Sequence, residues 1–207
     1  MWEKRRHEMV KEQIEGRGIQ DKRVIEAMKR VPRHLFVRER DLEKAYWDYP
    51  LPIGWGQTIS QPYIVAYMLE ALRLNGRERV LEIGAGSGYE AAVLSLLAKK
   101  IVSMEIVPEL AGEVALRLRD LGYNNVEVVE GNGYKGHEEE APYDAIILSA
   151  APERIPDSLL RQLAPGGRMI LPLGGYFQNL IVIEKGPGDE IRMRELLPVR
   201  FVPMVES

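Results

Sequence analysis

The residues with the clearest chemical spacing lie between Leu81 and Tyr89, in the segment LEIGAGSGY. An apolar run leads into Gly84-Ala85-Gly86-Ser87-Gly88, and a helix-forming stretch follows. A turn of this kind at the carboxyl end of a first strand lets a ligand come close to the backbone. The spacing is G-x-G-x-G. A dinucleotide fingerprint needs a third glycine at position 89, where Tyr89 stands, so no pyrophosphate grip is indicated. Glu105 ends the next predicted strand about 20 residues on, where an acid reaches ribose hydroxyls. Together these suit a nucleoside cofactor without a bridging pyrophosphate, such as S-adenosylmethionine; a tight strand–helix turn with no ligand is the alternative. Glu82 reads either as an acid capping nearby backbone or as a group near the cofactor's amino end. Asn132, in GNGYKG (131–136), reads either as a contact to an adenine edge or as a turn residue, since Asn-Gly is a common turn dipeptide. SAAP (149–152) stands where methyltransferases of nucleobase amines carry an Asn/Asp-Pro-Pro-aromatic motif, which is missing here.

Other chemistries are poorly supplied. Cysteine is absent, which excludes a thiol nucleophile, disulfides and cysteine-ligated metal. The histidines, His7, His34 and His137, stand in no nucleophile motif and read as surface or loop residues. No metal site is expected.

The elements that must hold the glycine turn alternate in type. Strands are predicted at 79–83, 101–105, 126–130, 144–149, 168–173, 180–185 and 191–199. Helices are predicted at 87–99, ending in Lys99 and Lys100, at 108–121, with Pro108 near its start and Gly122 past its end, and at 156–163, stopped by Pro165-Gly166-Gly167. Such alternation predicts a doubly wound α/β fold with a mostly parallel sheet, and the late strands add antiparallel pairs at one edge. Before it, residues 2–16 read as a charged helix with a thin apolar stripe at Met9, Val10 and Ile14. Asp21 caps a second helix, which Pro32 stops; Arg30, Arg33, Arg38 and Arg40 read as a solvated face. Residues 46–56, rich in Trp, Tyr, Pro and Gly, read as a loop packed by its own aromatics, with Trp47, Tyr49 and Trp55 a possible wall beside a substrate. Ser60 takes the N-cap position of a third helix with Pro62 in its first turn. The chain divides into an N-terminal helical extension (1–76), a cofactor-binding core (77–185) and an edge strand with tail (186–207), within one domain.

The composition agrees with a globular protein. The chain has 207 residues, 45% hydrophobic and 29% charged, which excludes disordered and collagen-like chains. The net charge of −3 argues against a nucleic-acid binder. The charged start carries no apolar signal core, and no stretch is long and apolar enough to cross a bilayer, so a cytoplasmic protein without membrane partners is expected.

Nearly the whole chain, from Arg5 to Met204, resembles the protein-L-isoaspartate(D-aspartate) O-methyltransferase family. The most specific segment is GWGQTISQPYIVAYM (54–68). VPRHLFV (31–37), LEIGAGSGY (81–89), GNGYKG (131–136), APYDAII (141–147), LAPGGRMILPLG (163–174) and RFVPM (200–204) extend it. The resemblance implies a Rossmann-like fold with a seven-stranded sheet and Ser60 as the active-site serine. Gly84, Gly86, Ser87, Gly88 and Glu105 would hold the methionine part and ribose of S-adenosylmethionine, with Asn132 and Gly133 at its adenine. Thr58, Ile59, Ser60, Arg200 and Val202 would meet the substrate, Arg200 to Met204 offering it an extended edge. One departure stands at 132, where the family usually has Asp; an Asn can donate as well as accept.

The implied reaction is transfer of a methyl group to the free α-carboxylate of L-isoaspartyl residues in damaged proteins, with D-aspartyl residues as a further substrate, leaving S-adenosylhomocysteine. The carboxylate is already ionised at neutral pH, so no general base is needed, in keeping with the residues available. The ester then closes to a succinimide, which hydrolyses partly to aspartate. A monomer is expected. The alternatives are a methyltransferase for RNA or a small molecule, an NAD-dependent oxidoreductase and a non-enzymatic nucleoside-binding module. Asn75-Gly76 and Asn132-Gly133 are themselves prone to deamidation, with Asn75 in an exposed turn.

Overall fold

The computed structural model describes residues 1–206. The N-terminal helix α1 (Trp2–Met9) continues through a π turn, Val10–Ile14, and a 3-10 turn, Glu15–Arg17, burying Met9, Val10 and Ile14 as the apolar stripe predicts. Asp21 caps α2 (Lys22–Arg30) by accepting from the backbone N–H of Arg23 at 2.8 Å and of Val24 at 3.4 Å. Short 3-10 turns follow at Arg33–Phe36 and Glu39–Lys44.

The aromatic loop contains a hairpin that the sequence reading missed. Strands β1 (Leu51–Gly54) and β2 (Gln57–Ile59) pair antiparallel. Their turn residues Trp55 and Gly56 both have positive φ, the combination whose twist matches that of paired strands. Helix α3 (Pro62–Leu72) starts one residue later than expected. Gln61 takes its N-cap position without a side-chain bond, so Ser60 is not the cap.

The large sheet contains β3 (Arg79–Ile83), β4 (Lys100–Glu105), β5 (Val126–Glu130), β6 (Tyr143–Leu148), β7 (Leu163–Leu173), β8 (Gln178–Lys185) and β9 (Ile191–Val199). Its order is β5-β4-β3-β6-β7-β8-β9. The strands from β5 to β7 are parallel, and β8 pairs antiparallel with both β7 and β9, as expected. Two boundaries differ from the sequence reading. The helix after the glycine turn, α4 (Tyr89–Leu94), ends early; Lys100 belongs to β4 and pairs with Glu127 and Glu140 instead of closing a helix. β7 runs through Pro165-Gly166-Gly167, with a register shift opposite Tyr143 and Ala145 that accommodates them.

Alternate strand residues feed two cores. Val80, Ile101, Ala145, Ile147 and Ile170 pack with α1–α4 and with α5 (Pro108–Asp120). Leu81, Ile83, Val102, Met104, Ile146 and Leu148 pack on the opposite face with Leu159 of α6 (Asp157–Gln162). Cover on both faces explains why the strands read as continuous apolar runs. β6 returns beside β3 after β4 and β5 have gone outward, so the order reverses at the carboxyl end of β3, where open α/β sheets hold ligands. Among the described residues no helix is long and apolar enough to cross a membrane.

Candidate functional site

A cavity of about 800 Å³, its mouth included, opens at this reversal point. The glycine turn forms its floor. Gly84 and Ala85 donate backbone N–H groups to the Met104 carbonyl at 2.8 and 3.0 Å, tying the turn to the end of β4. Gly88 has φ +82°, and a Cβ there would stand 2.9 Å from Val114 Cγ1, so its glycine lets α4 pack on α5. Gly88 is therefore a packing residue behind the floor, whereas Gly84, Gly86 and Ser87 line the cavity.

Glu105 is buried at the cavity wall and satisfied by backbone. One carboxylate oxygen accepts from Gly86 N–H at 2.9 Å; the other accepts from Ile106 and Val107 at 2.9 and 3.1 Å. These bonds fix the carboxylate, and the oxygen that accepts from Gly86 keeps lone-pair capacity for a ligand hydroxyl. Gly133 also lines the cavity. A Cβ on it would lie 2.3 Å from Ile83 Cγ2 and 2.9 Å from Met204 Cε, so only glycine fits beneath the chain's tail. Asn132 behaves differently: its side chain donates to the Glu206 carbonyl at 3.1 Å and accepts from Tyr134 N–H at 2.8 Å. It acts as a turn residue and tail tether and is not part of the cavity wall.

The tail crosses the mouth. Ala151 N–H donates to the Val202 carbonyl and Met204 N–H to the Ala151 carbonyl, both at 2.8 Å, so residues 202–204 bridge to the loop after β6. Val202, Pro203 and Met204 thereby close one side of the cavity. A second groove, lined by Pro50, Ile64, Val199, Arg200 and Phe201, meets the first at Thr58, Ser60, Ser149, Val202 and Pro203. Thr58 and Ser60 therefore stand on both sides of the junction. Ile59 lines the cavity only, and Arg200 the groove only. Trp47 and Trp55 remain about half exposed and line neither space.

Two features of the site were not read from sequence, and a third differs from its reading. Arg33, expected on a solvated face, is completely buried. Its guanidinium donates to the Ala45 carbonyl at 2.9 Å and to the Ser60 carbonyl at 2.8 Å, and lies 4.9 Å over the Tyr89 ring. Burial pushes its pKa down to about 10, with the Tyr89, Tyr46 and Asp48 groups opposing. Glu90 is also buried, accepts from Ser149 Oγ at 2.8 Å and lines the cavity. Burial pushes its pKa up to about 7, and the Ser149 hydroxyl opposes this. Glu82, read from sequence as a backbone cap or a group near the cofactor's amino end, is fully buried, bonds to the Ser103 hydroxyl and does not line the cavity. Burial, then the neighbouring Glu90 charge, raises its pKa far above the usual carboxylate range.

These features fit S-adenosylmethionine chemically: a glycine floor, a fixed acid for hydroxyls, an apolar wall and a buried carboxylate oxygen of Glu90 without a partner. Among the described residues no cluster of His, Asp and Glu could hold a metal ion.

Comparison with known proteins agrees with this chemistry. Residues 4–207 match the model of the family described as Protein-L-isoaspartate(D-aspartate) O-methyltransferase (PCMT). The chain is 54% identical over 205 residues to protein-L-isoaspartate O-methyltransferase 2 of Pelobacter propionicus, covering 98% of this chain and 91% of that one. It is 50% identical over 199 residues to protein-L-isoaspartate O-methyltransferase of a Picosynechococcus strain, covering 96% and 89%. Among solved structures, a Plasmodium falciparum beta-aspartate methyltransferase (PCMT) in complex with S-adenosyl-L-homocysteine superposes with a TM-score of 0.84 at 26% identity, covering 98% of this chain and 99% of the other. The floor, the fixed acid and the whole-length matches lead to one conclusion: the chain belongs to the protein-L-isoaspartate(D-aspartate) O-methyltransferase family.

Proposed function

We propose that this protein is a repair methyltransferase that esterifies the free α-carboxylate of L-isoaspartyl residues, and the free side-chain carboxylate of D-aspartyl residues, in damaged proteins. The observation that carries this reading is the junction of two spaces at Thr58, Ser60 and Val202: a cavity suited to a nucleoside cofactor, and a groove suited to a peptide. Gly84, Gly86, Ser87, Glu105 and Gly133 would hold the cofactor. When bound, S-adenosylmethionine supplies a sulfonium methyl whose C–S bond breaks as the new O–C bond forms, leaving a neutral thioether.

The chain's own work is then positional. The acceptor carboxylate is ionised at neutral pH, so no residue has to remove a proton. Ser60, held at its carbonyl by Arg33, orients that carboxylate at the junction, and Thr58, Ile59, Arg200 and Val202 hold the flanking peptide. Val202, Pro203 and Met204 limit water access. In-line alignment of this kind supplies most of the acceleration such a transfer needs. The ester is a better electrophile than the acid; a neighbouring backbone nitrogen closes it to a succinimide without the enzyme.

We further read the protein as a cytoplasmic monomer that uses neither nucleic acid nor membrane, in keeping with its net charge of −3. The test is methyl transfer from labelled S-adenosylmethionine to two peptides differing only in isoaspartate or aspartate at one site. Base-labile label on the isoaspartyl peptide alone is the expected result. Label on neither, with S-adenosylhomocysteine binding intact, overturns the substrate assignment.

A further inference from the structure

Two buried carboxyl groups stand at the cavity, Glu90 in its wall and Glu82 behind it, with no cation bonded to either. Glu82 on β3 bonds to Ser103 Oγ through one oxygen, and its Oε1 has no partner. Glu90, at the start of α4, bonds to Ser149 Oγ through one oxygen, and its Oε2 has no partner. Glu82 is 0% and Glu90 6% exposed. The charges acting on Glu82 come from Glu90 and Glu105, both acidic. Around the pair stand the hydroxyls of Ser103 on β4 and Ser149 after β6, and none of these groups is cationic.

Two carboxylates cannot both stay ionised in such a place. The pair therefore keeps a proton until a cation arrives to replace it. Glu90 and Ser149 line the cavity beside Gly84 and Gly86, so a cation entering with the ligand comes to the wall that Glu90 helps to form. The α-ammonium group of an amino-acid-bearing nucleoside is such a cation.

We propose that Glu90, backed by Glu82 and fixed by Ser149, is the subsite for the ligand's α-ammonium group. This rests on the assignment of the cavity to the cofactor. Binding then transfers the pair's proton to solvent as the ammonium donates to the unpartnered Glu90 oxygen. The ammonium group brings one positive charge in place of the proton, so the pair and that group together carry the charge the pair had before. Glu90 in this way favours ligands that carry the amino-acid portion over truncated nucleosides.

The experiment is calorimetric binding of S-adenosylhomocysteine and of 5′-methylthioadenosine, which lacks the amino acid, to wild type and to Glu90→Gln. Buffers of different ionisation enthalpy report the protons released. Wild type releases protons near neutral pH on binding S-adenosylhomocysteine but not on binding 5′-methylthioadenosine. Glu90→Gln abolishes that release and weakens S-adenosylhomocysteine at least about tenfold, as expected for losing a hydrogen bond to a charged group. Its affinity for 5′-methylthioadenosine stays the same, which also shows that the variant is folded. Equal weakening of both ligands, or unchanged binding of S-adenosylhomocysteine, overturns the subsite. Wild type that binds neither ligand overturns the cavity assignment itself.

Discussion

Replacing Arg33 by Met separates what this buried cation does for folding from what it does for Ser60. A guanidinium held at about 10 instead of its ordinary 12.5 carries about 3 kcal/mol of unfavourable burial. Removing the charge recovers that amount. It also removes two bonds from a charged donor, to the carbonyls of Ala45 and Ser60, worth about 1.5–3 kcal/mol each. The methionine keeps an apolar stem against Tyr89. The opposing effects nearly cancel, so Arg33→Met loses no more than about 3 kcal/mol of stability. Arg33→Lys should fare worse. It keeps a buried charge that is more strongly hydrated, and it lacks the fork that spans two carbonyls. Turnover tells a different story. With the Ser60 carbonyl released, either variant should lose about tenfold to hundredfold in kcat on an isoaspartyl peptide, the scale of a displacement near 1 Å at a positioning residue. Affinity for S-adenosylhomocysteine should hold, because Gly86 and Glu105 are untouched. Urea unfolding, steady-state kinetics and calorimetry measure the three quantities. A lysine variant more stable than the methionine one, or a methionine variant with full turnover, refutes the reasoning.

Four other outcomes are expected. Ser60→Ala should lower kcat strongly while S-adenosylhomocysteine binding survives, and full turnover would leave Ser60 without a catalytic role. Gly133→Ala sets a methyl group 2.3 Å from Ile83 Cγ2, so it should cost about 1–3 kcal/mol in thermal unfolding and weaken S-adenosylhomocysteine measurably. Glu90 has its pKa raised from 4.5 to about 7 in the fold, so its contribution is complete below pH 4.5 and is lost as pH rises through about 7. The ligand-free protein should therefore lose up to about 3 kcal/mol across that window relative to Glu90→Gln, read by urea unfolding at several pH values. The N–H groups of Asn75 and Gly76 donate to the Glu78 carboxylate at 2.8 and 2.9 Å, which occupies the nitrogen that would attack the Asn75 side chain; Glu78→Ala should speed deamidation at Asn75, measured by mass spectrometry after ageing.

The sequence was most informative where the physics is local. Asp21 caps the helix it precedes because one side chain two and three residues away from two free N–H groups needs no distant partner. Gly84, Gly86 and Glu105 meet because a strand, a tight turn and a parallel neighbour leave little choice of where they go. Elsewhere the deciding contact comes from far along the chain. Ser60 looks like a cap, and the residue that fixes its backbone is Arg33, 27 positions earlier. Arg33 itself is indistinguishable by type from its solvated neighbours Arg30 and Arg40. The tail closes the cavity through Ala151, and Asn132 is drawn to Glu206, pairings that no periodicity encodes. Glu90 is the exception that could have been found. In Tyr-Glu-Ala-Ala-Val-Leu it is the one charged residue of a helix buried along its whole length. An acid there has no surface to reach, so folding alone gives no reason for it. A local rule broken without structural gain points to a functional site, and the α-ammonium subsite proposed above would give the second oxygen of Glu90 the partner it lacks.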